Sequence, residues 1–308
     1  MKLKQIKISI IILTKNNGGT IGEVLKQIIS QQVNDPYEII IVDSGSSDDT
    51  IRQISKFDVR SYKIPPDEFG HGKTRNLASE YACGEYLVYL SADAIPANEH
   101  WLRNLVSKLN SEDIGATFGR QIPFKQTPPM ERFFIQKNYP PATEENYSQK
   151  DFRLNAFFSN VNSAIKRSLW NKIKFSEDLI ISEDYYWAKK ANDQGYKIEY
   201  IPDAAVFHSH KYNLIQVFKR YFDSGVSFSQ MGLQPGVLRN GLGYFFEELK
   251  YIRQENIFLL PYAICYDIFK FIGFFAGRYH NFIPAFIKTH LSMHAYYWKN
   301  NLFSLVTL

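Results

Sequence analysis

From Ile6 to Thr14 the chain reads Ile-Lys-Ile-Ser-Ile-Ile-Ile-Leu-Thr, a β-branched run that is apolar on both alternating faces and ends in polar Thr14-Lys15-Asn16. A strand buried on both faces belongs in the middle of a parallel sheet with helices above and below it. The residues that follow keep to that plan. Val24, Leu25, Ile28 and Ile29 fall at helical spacing, and Glu38 to Val42 reads as a second strand. The polar turn Ser44-Gly45-Ser46-Ser47 is suited to cap a helix through Ile51 and Ile54, and a strand is predicted near Val59 to Ile64. A helix from His71 to Ala82 then leads into the strand Tyr86 to Leu90, which stops at Ser91-Ala92-Asp93-Ala94-Ile95-Pro96. Open α/β sheets bind ligands beyond the carboxyl ends of their strands. Thr14, Asp43 and Asp93 are therefore expected to face one crevice.

After about residue 120 the texture changes: 10 of the 48 aromatic residues precede Met130 and 38 follow it. That second part must bury or present large aromatic surfaces. It begins with mixed elements: a segment Ala156 to Ile165, a helix Ser182 to Gln194, and short strands Lys197 to Ile201 and Ala204 to Phe207. Beyond Asn213 the pattern is mostly helical, with Leu242, Phe245, Phe246, Leu249 and Ile252 expected on one face and Glu247, Glu248, Lys250 and Arg253 on the other. Ile257 to Ala276 is nearly apolar but holds Pro261, Asp267 and Lys270, which fits an interfacial or core helix pair better than a clean bilayer span. The expected architecture is an α/β domain over residues 1–230, a sheet flanked by helices, and a helical, aromatic-rich extension over 231–308 that associates with a membrane or forms a homodimer interface.

Composition narrows the function classes. Hydrophobic residues make up 45% and charged residues 22%, which excludes a disordered chain, and no repeat of collagen or coiled-coil type is present. The net charge is +5, but Lys and Arg are scattered, with no cluster of five or more, so nucleic acid is a poor partner. Two cysteines, Cys83 and Cys265, cannot form a disulfide framework, and the apolar run after Met1-Lys2-Leu3-Lys4 is too short for an export signal. The expected location is the cytoplasm.

Several motifs carry chemistry. Asp43, one residue past a buried strand in Val42-Asp43-Ser44-Gly45-Ser46-Ser47-Asp48, can accept a hydrogen bond from a base imide or ribose hydroxyl, or can simply cap its turn. Asp93 is either a turn residue or a hard oxygen ligand for Mg²⁺ or Mn²⁺. Gly70-His71-Gly72-Lys73-Thr74 lacks the leading glycine of a phosphate loop, since Asp67 stands there. What remains is a glycine-flexed helix entry with His71, Lys73 and Arg75 near a positively polarised N-terminus, suited to a diphosphate. Glu183-Asp184 opens a helix, where acids are favoured electrostatically and where one facing the crevice could act as a general base. His208-Ser209-His210 follows a short strand, and one imidazole could meet a metal or phosphate.

Taken in order, Ile10 to Asn16, Val42 to Asp48, Asp93 and Glu183-Asp184 resemble the inverting glycosyltransferases of family 2, which have the GT-A fold. The resemblance spans roughly residues 6 to 230. Glu68 to Asn76, Ser91 to Pro96 and Val206 to His210 resemble more narrowly the bacterial rhamnosyltransferase branch, which uses dTDP-L-rhamnose to make surface polysaccharides. The resemblance implies that Thr14 and Asp43 contact the nucleoside of a dTDP- or UDP-sugar, with Arg75 and His71 toward the nucleotide. It further implies that Asp93 meets Mg²⁺ or Mn²⁺ at the diphosphate, assisted by His208 or His210. Asp184 would be the catalytic base, with Glu183 supporting the helix end or the acceptor. The acceptor would be a glycan or a polyprenyl-linked sugar at the inner face of the cytoplasmic membrane. The family's metal motif is commonly Asp-x-Asp, and Ser91 stands at its first position here.

Two other classes fit parts of the pattern. A sugar-1-phosphate nucleotidyltransferase would need a glycine-rich, arginine-bearing loop after the first strand, where Thr14-Lys15-Asn16-Asn17 stands. A non-catalytic, membrane-attached nucleotide-sugar-binding protein would keep the fold with a failed metal site, and Ser91 is its support.

Overall fold

The computed structural model describes residues 6–142, 158–233 and 237–304. Its strands are β1 (Ile8–Thr14), β2 (Tyr37–Asp43), β3 (Arg60–Lys63), β4 (Tyr86–Ser91), β5 (Ile95–Pro96), β6 (Ile114–Ile122), β7 (Asn162–Lys166) and β8 (Lys197–Phe207). They form one mixed sheet in the order β3-β2-β1-β4-β7-β6-β8-β5. The strands β3, β2, β1 and β4 run parallel, β7 is antiparallel to both β4 and β6, and β8 is parallel to β6.

The central position of β1 follows from its isoleucines. Ile8, Ile10 and Ile12 pack on one face against Ile21, Val24, Leu25 and Ile28 of α1 (Ile21–Ile29) and Trp101, Leu102 and Leu105 of α4 (Trp101–Val106). Ile11 alternates to the other face and is equally buried. Ile29, although at helical spacing, is half exposed. The remaining helices of this region are α2 (Thr50–Ile54), α3 (His71–Tyr81), α5 (Pro129–Asn138), α6 (Arg167–Lys172) and α7 (Glu183–Asp193).

Three expectations are corrected. The two short strands expected over 197–207 are one strand, because the pairing of β8 with β6 jumps from Gly119↔Ile201 to Gln121↔Val206 and so takes up Pro202 and Asp203 as an irregularity. The Ser44 to Ser47 turn does not cap α2. The N-cap of that helix is Asp49, without a side-chain cap hydrogen bond, and the Asp48 carboxylate just ahead of it accepts from the Thr50 amide (3.0 Å). The face expected over 242–253 is also rearranged: Glu248 is fully buried beside Ile252, while Leu242 and Phe246 are exposed. The segment expected over 156–165 lies partly outside the described residues, and its described part yields β7.

The chain divides into two compact units. The first comprises Met1–Phe124, Ile135–Glu177 and Glu183–Ser209 and contains the sheet. The second comprises Lys125–Phe134, Asp178–Ser182 and His210–Leu308. Its helices are α8 (Leu214–Gln230), α9 (Val237–Asn256), α10 (Leu260–Arg278), α11 (Ala285–Leu291) and α12 (Ala295–Ser304).

Candidate functional site

The parallel strands β2, β1 and β4 lie side by side and end level. Thr14 is the register partner of Asp43, and Leu13 that of Ser91, two residues before Asp93. The three strand ends picked out in the sequence therefore share one edge. Asp43 is buried, and its carboxylate accepts from the Gly45 and Ser46 amides (3.1 Å each) and from the Ser46 hydroxyl. A carboxylate offers about four acceptor positions, so one remains for a ligand donor. Thr14 is buried, its hydroxyl donating to Asn17 Oδ1 at 3.1 Å.

Sequence reasoning missed the residues that join these two loops. The Asn16 amide donates to Ser46 Oγ (2.8 Å), and Asn16 Oδ1 accepts from the Ser47 amide (2.8 Å). The Gly18 amide donates to Asp48 Oδ2 (2.9 Å) and the Asn17 amide to Thr50 Oγ1 (2.7 Å). Hydrogen bonds from the Thr50 hydroxyl and the Gly18 amide hold the Asp48 carboxyl below its ordinary pKa. Asn16 takes a φ of 55°, and the other non-glycine residue of positive φ among those described is Ser182 at 63°. Both stand two residues from a predicted site residue, Thr14 and Asp184. Strained backbone of this kind tends to gather at functional loops.

Beyond β4, Asp93 and His208, which follows the end of β8, meet within the sheet unit. Asp93 Oδ1 lies 3.7 Å from His208 Nε2. His208 is buried, and its Nδ1 lies 2.9 Å from Gln121 Oε1. With the proton on Nδ1 donated to Gln121, Nε2 is the acceptor nitrogen turned toward Asp93. That is the usual second-shell arrangement of a metal-binding imidazole. A carboxylate beside an imidazole nitrogen is a donor set that can hold a divalent cation.

The segment His71 to Asn76 does more structural work than its sequence announces. Gly72 stands where a Cβ would come within 1.9 Å of the Ser176 carbonyl oxygen, so only glycine lets α3 approach that segment. Asn76, buried four residues on, is a hub. Its Nδ2 donates to the Phe175 carbonyl (3.0 Å) and Glu177 Oε1 (2.8 Å), and its Oδ1 accepts from Trp170 Nε1 (3.2 Å) and the Phe175 amide (3.1 Å). Between them Arg75 forms a buried ion pair with Glu183 at the start of α7. Arg75, expected near the nucleotide, thus has its guanidinium on the Glu183 carboxylate, and His71 packs edge-on against Phe69.

Asp184 is tied to the strand ends by a short relay. Its Oδ2 accepts from the Asn160 amide (3.0 Å), and the carbonyl of the next residue, Val161, accepts from the Ser91 amide (3.1 Å). Among the described residues the buried Asn160 side-chain Nδ2 has no hydrogen-bond partner, and nothing in the sequence singles out this donor. Desolvation, and then the negative charge of Glu183, raise the Asp184 pKa to about 6, with Arg75 opposing. A carboxylate so placed can take a proton from a hydroxyl near neutral pH.

Comparison with known proteins adds the following. Residues 9–174 match the model of glycosyl transferase family 2. The O-antigen chain rhamnosyltransferase WbaN of Salmonella anatum is 32% identical, covering 96% of this chain and 97% of that protein. RfbN of Salmonella typhimurium strain LT2, also an O-antigen chain rhamnosyltransferase, is 32% identical over 97% of this chain and 98% of its own length. Among solved structures, the mannosyltransferase PcManGT from Pyrobaculum calidifontis, in complex with GDP-Man and Mn²⁺, superposes with a TM-score of 0.59 at 19% identity, covering 90% of this chain and 87% of that one.

Proposed function

The chain belongs to glycosyl transferase family 2 and is an inverting, nucleotide-sugar-dependent glycosyltransferase, and from that premise we propose that it transfers L-rhamnose from dTDP-L-rhamnose to a hydroxyl of a lipid-linked glycan in O-antigen synthesis. The donor and the pathway rest on similarity to the two Salmonella rhamnosyltransferases along almost their whole length. The observation that carries the chemistry is Asp184, a carboxylate of raised pKa tied through Asn160 to the strand end that precedes Asp93.

In this reading Asp43 and Thr14 receive the nucleoside, Asp43 accepting from the thymine imide. Asp184 removes the proton of the acceptor hydroxyl as its oxygen bonds to the anomeric carbon. The bond from that carbon to the diphosphate oxygen breaks on the opposite face, which inverts the configuration and releases dTDP. No covalent intermediate with the protein forms. Asp93, assisted by His208 or His210, would hold a divalent cation, whose chemistry when bound is to neutralise charge on the departing diphosphate. Arg75 keeps Glu183 paired and α7 in position. The enzyme works at the cytoplasmic face of the membrane, where a polyprenyl-linked acceptor is presented.

The test is product analysis. Incubation with dTDP-L-rhamnose, Mn²⁺ and a lipid-linked acceptor glycan should yield an acceptor heavier by one deoxyhexose, with the anomeric configuration opposite to that of the donor. Transfer from UDP- or GDP-sugars but not from dTDP-L-rhamnose would replace the donor assignment. Nucleotide binding without any transfer would favour the non-catalytic reading. Undiminished transfer in excess EDTA would remove the metal.

A further inference from the structure

In a water-soluble protein an amphipathic helix turns its apolar face inward and its charges outward. The helix α10 departs from this: Ala263 and Tyr266 are buried on its packed side, but its two central charges lie on that side too and its outward side is apolar. Asp267 and Lys270 lie on its packed side, where Lys270 Nζ is 2.9 Å from Asp267 Oδ1 and 3.5 Å from Glu248 Oε2 of α9, and stands over the Tyr266 ring at 4.7 Å. Glu248 is fully buried. Its outward side carries Ile264, Ile268, Phe271 and Ile272, each about 40 to 50% exposed, and the flanking Phe258 and Phe282 are 88% and 86% exposed. By length and composition, residues 241–278 could cross a membrane, although only 17% of their most apolar window is buried within the protein.

The way α10 is held to its neighbour points the same way. Gly273 and Gly277, four residues apart, face α8 so closely that a Cβ at either would fall 2.4 Å from the Phe218 carbonyl oxygen or 1.9 Å from that of Phe222. Gly225 of α8 meets the Phe274 carbonyl in return. Backbone-to-backbone packing through glycines four apart, together with inward-facing ionisable side chains, is how helices associate where the surroundings are lipid.

Charge indicates which lipid. Residues 210–308 hold ten Lys and Arg against five Asp and Glu, which accounts for the entire net charge of +5, so the rest of the chain is balanced. An apolar face on a positively charged unit complements an anionic surface.

We propose that the outward face of α10, with Phe258 and Phe282 at its ends, is immersed in the interfacial layer of a bilayer bearing anionic headgroups. The helix lies along the membrane, and the Lys270, Glu248 and Asp267 cluster fixes which side faces lipid. This rests on the membrane-side location given above and adds the contacting surface and the lipid class.

The full-length protein is floated with vesicles of phosphatidylethanolamine and phosphatidylglycerol, or of phosphatidylcholine alone. Ile268→Glu and Phe271→Glu change the outward face, and Ile29→Glu on α1 is a control at an exposed apolar residue of the sheet unit. The wild type and Ile29→Glu should partition at least tenfold more strongly into the anionic vesicles. Each α10 variant should lose roughly tenfold or more of that binding, as expected when one large apolar contact is replaced by a charge. Phe271→Ser, a milder change, should show a smaller loss in the same direction, with unchanged thermal melting excluding misfolding. Undiminished flotation of the α10 variants, equal binding to both vesicle types, or no flotation of the wild type would each overturn the proposal. So would a wild-type dimer that Phe271→Glu dissociates while neither form floats. dTDP binding, measured in parallel by calorimetry, reads the catalytic assignment separately.

Discussion

The sheet unit and the helical unit handle charge in opposite ways. In the first, apolar strands fill the interior and ionisable groups stand at or just past parallel strand ends, at Asp43 and Asp93, with Asp184 linked to the end of β4 through Asn160 and Val161. In the second, Lys270, Glu248 and Asp267 lie inside with the apolar core, and Ile264, Ile268, Phe271 and Ile272 of α10 lie outside. Apolar patterning in a sequence thus reports only that a helix has two faces. Which face points inward depends on what surrounds the unit and on which partners can satisfy its polar groups.

The contrast can be broken from either side. The largest effect is expected in the sheet unit. Asp184→Asn keeps the size and removes the basicity, so turnover should fall by about 10²- to 10⁴-fold, the scale of general-base catalysis, while calorimetry shows dTDP binding retained. Normal turnover in this variant together with a dead Glu183→Gln would move the base by one residue.

In the helical unit, Lys270→Met leaves Glu248 and Asp267 without their cation, and a broken buried pair of this kind costs about 3–5 kcal/mol. Urea denaturation should show that loss, and Lys270→Met combined with Glu248→Gln should recover much of it. A single variant as stable as the wild type would mean that the inward charges do not set the orientation of α10. Asn76→Ala in the sheet unit removes four buried hydrogen bonds and should cost about 2–3 kcal/mol. Because Asn76 anchors the segment ahead of α7, kcat should fall as well.

The smallest effect is a displacement of the pH profile. As the proposed base Asp184 has to be unprotonated, so kcat should rise with pH through about 6 and then level off. Glu183→Gln removes a negative neighbour and should move that limb to lower pH. Arg75→Met removes a positive one and should move it to higher pH, each by no more than about one unit. Shifts in the same direction for both variants would show that the limb does not belong to Asp184. The helical unit has its own pH-sensitive group, since burial raises the Asp223 pKa to about 7 against the lowering effect of hydrogen bonds from Ser292 and the Met293 amide. A raised folded-state pKa contributes stability at pH below about 4 that is lost as pH rises toward 7.

The amino-acid sequence by itself determined the parallel core and the edge where its strands end, because a run buried on both faces has few places to go and short connections keep consecutive units adjacent. The resemblance of Ile10 to Asn16, Val42 to Asp48 and Glu183-Asp184 to family 2 was likewise legible, since chemistry at strand ends is carried by short contiguous motifs. Only the tertiary structure decided what Arg75, Asn160 and Glu248 do. Arg75 meets Glu183 across 108 positions of chain, the Asn160 amide meets Asp184, and Glu248 turns inward toward Lys270. Local pattern shows which faces a segment has. The partner that makes burial of a charge tolerable comes from a distant segment, and that pairing is settled only when the chain is packed.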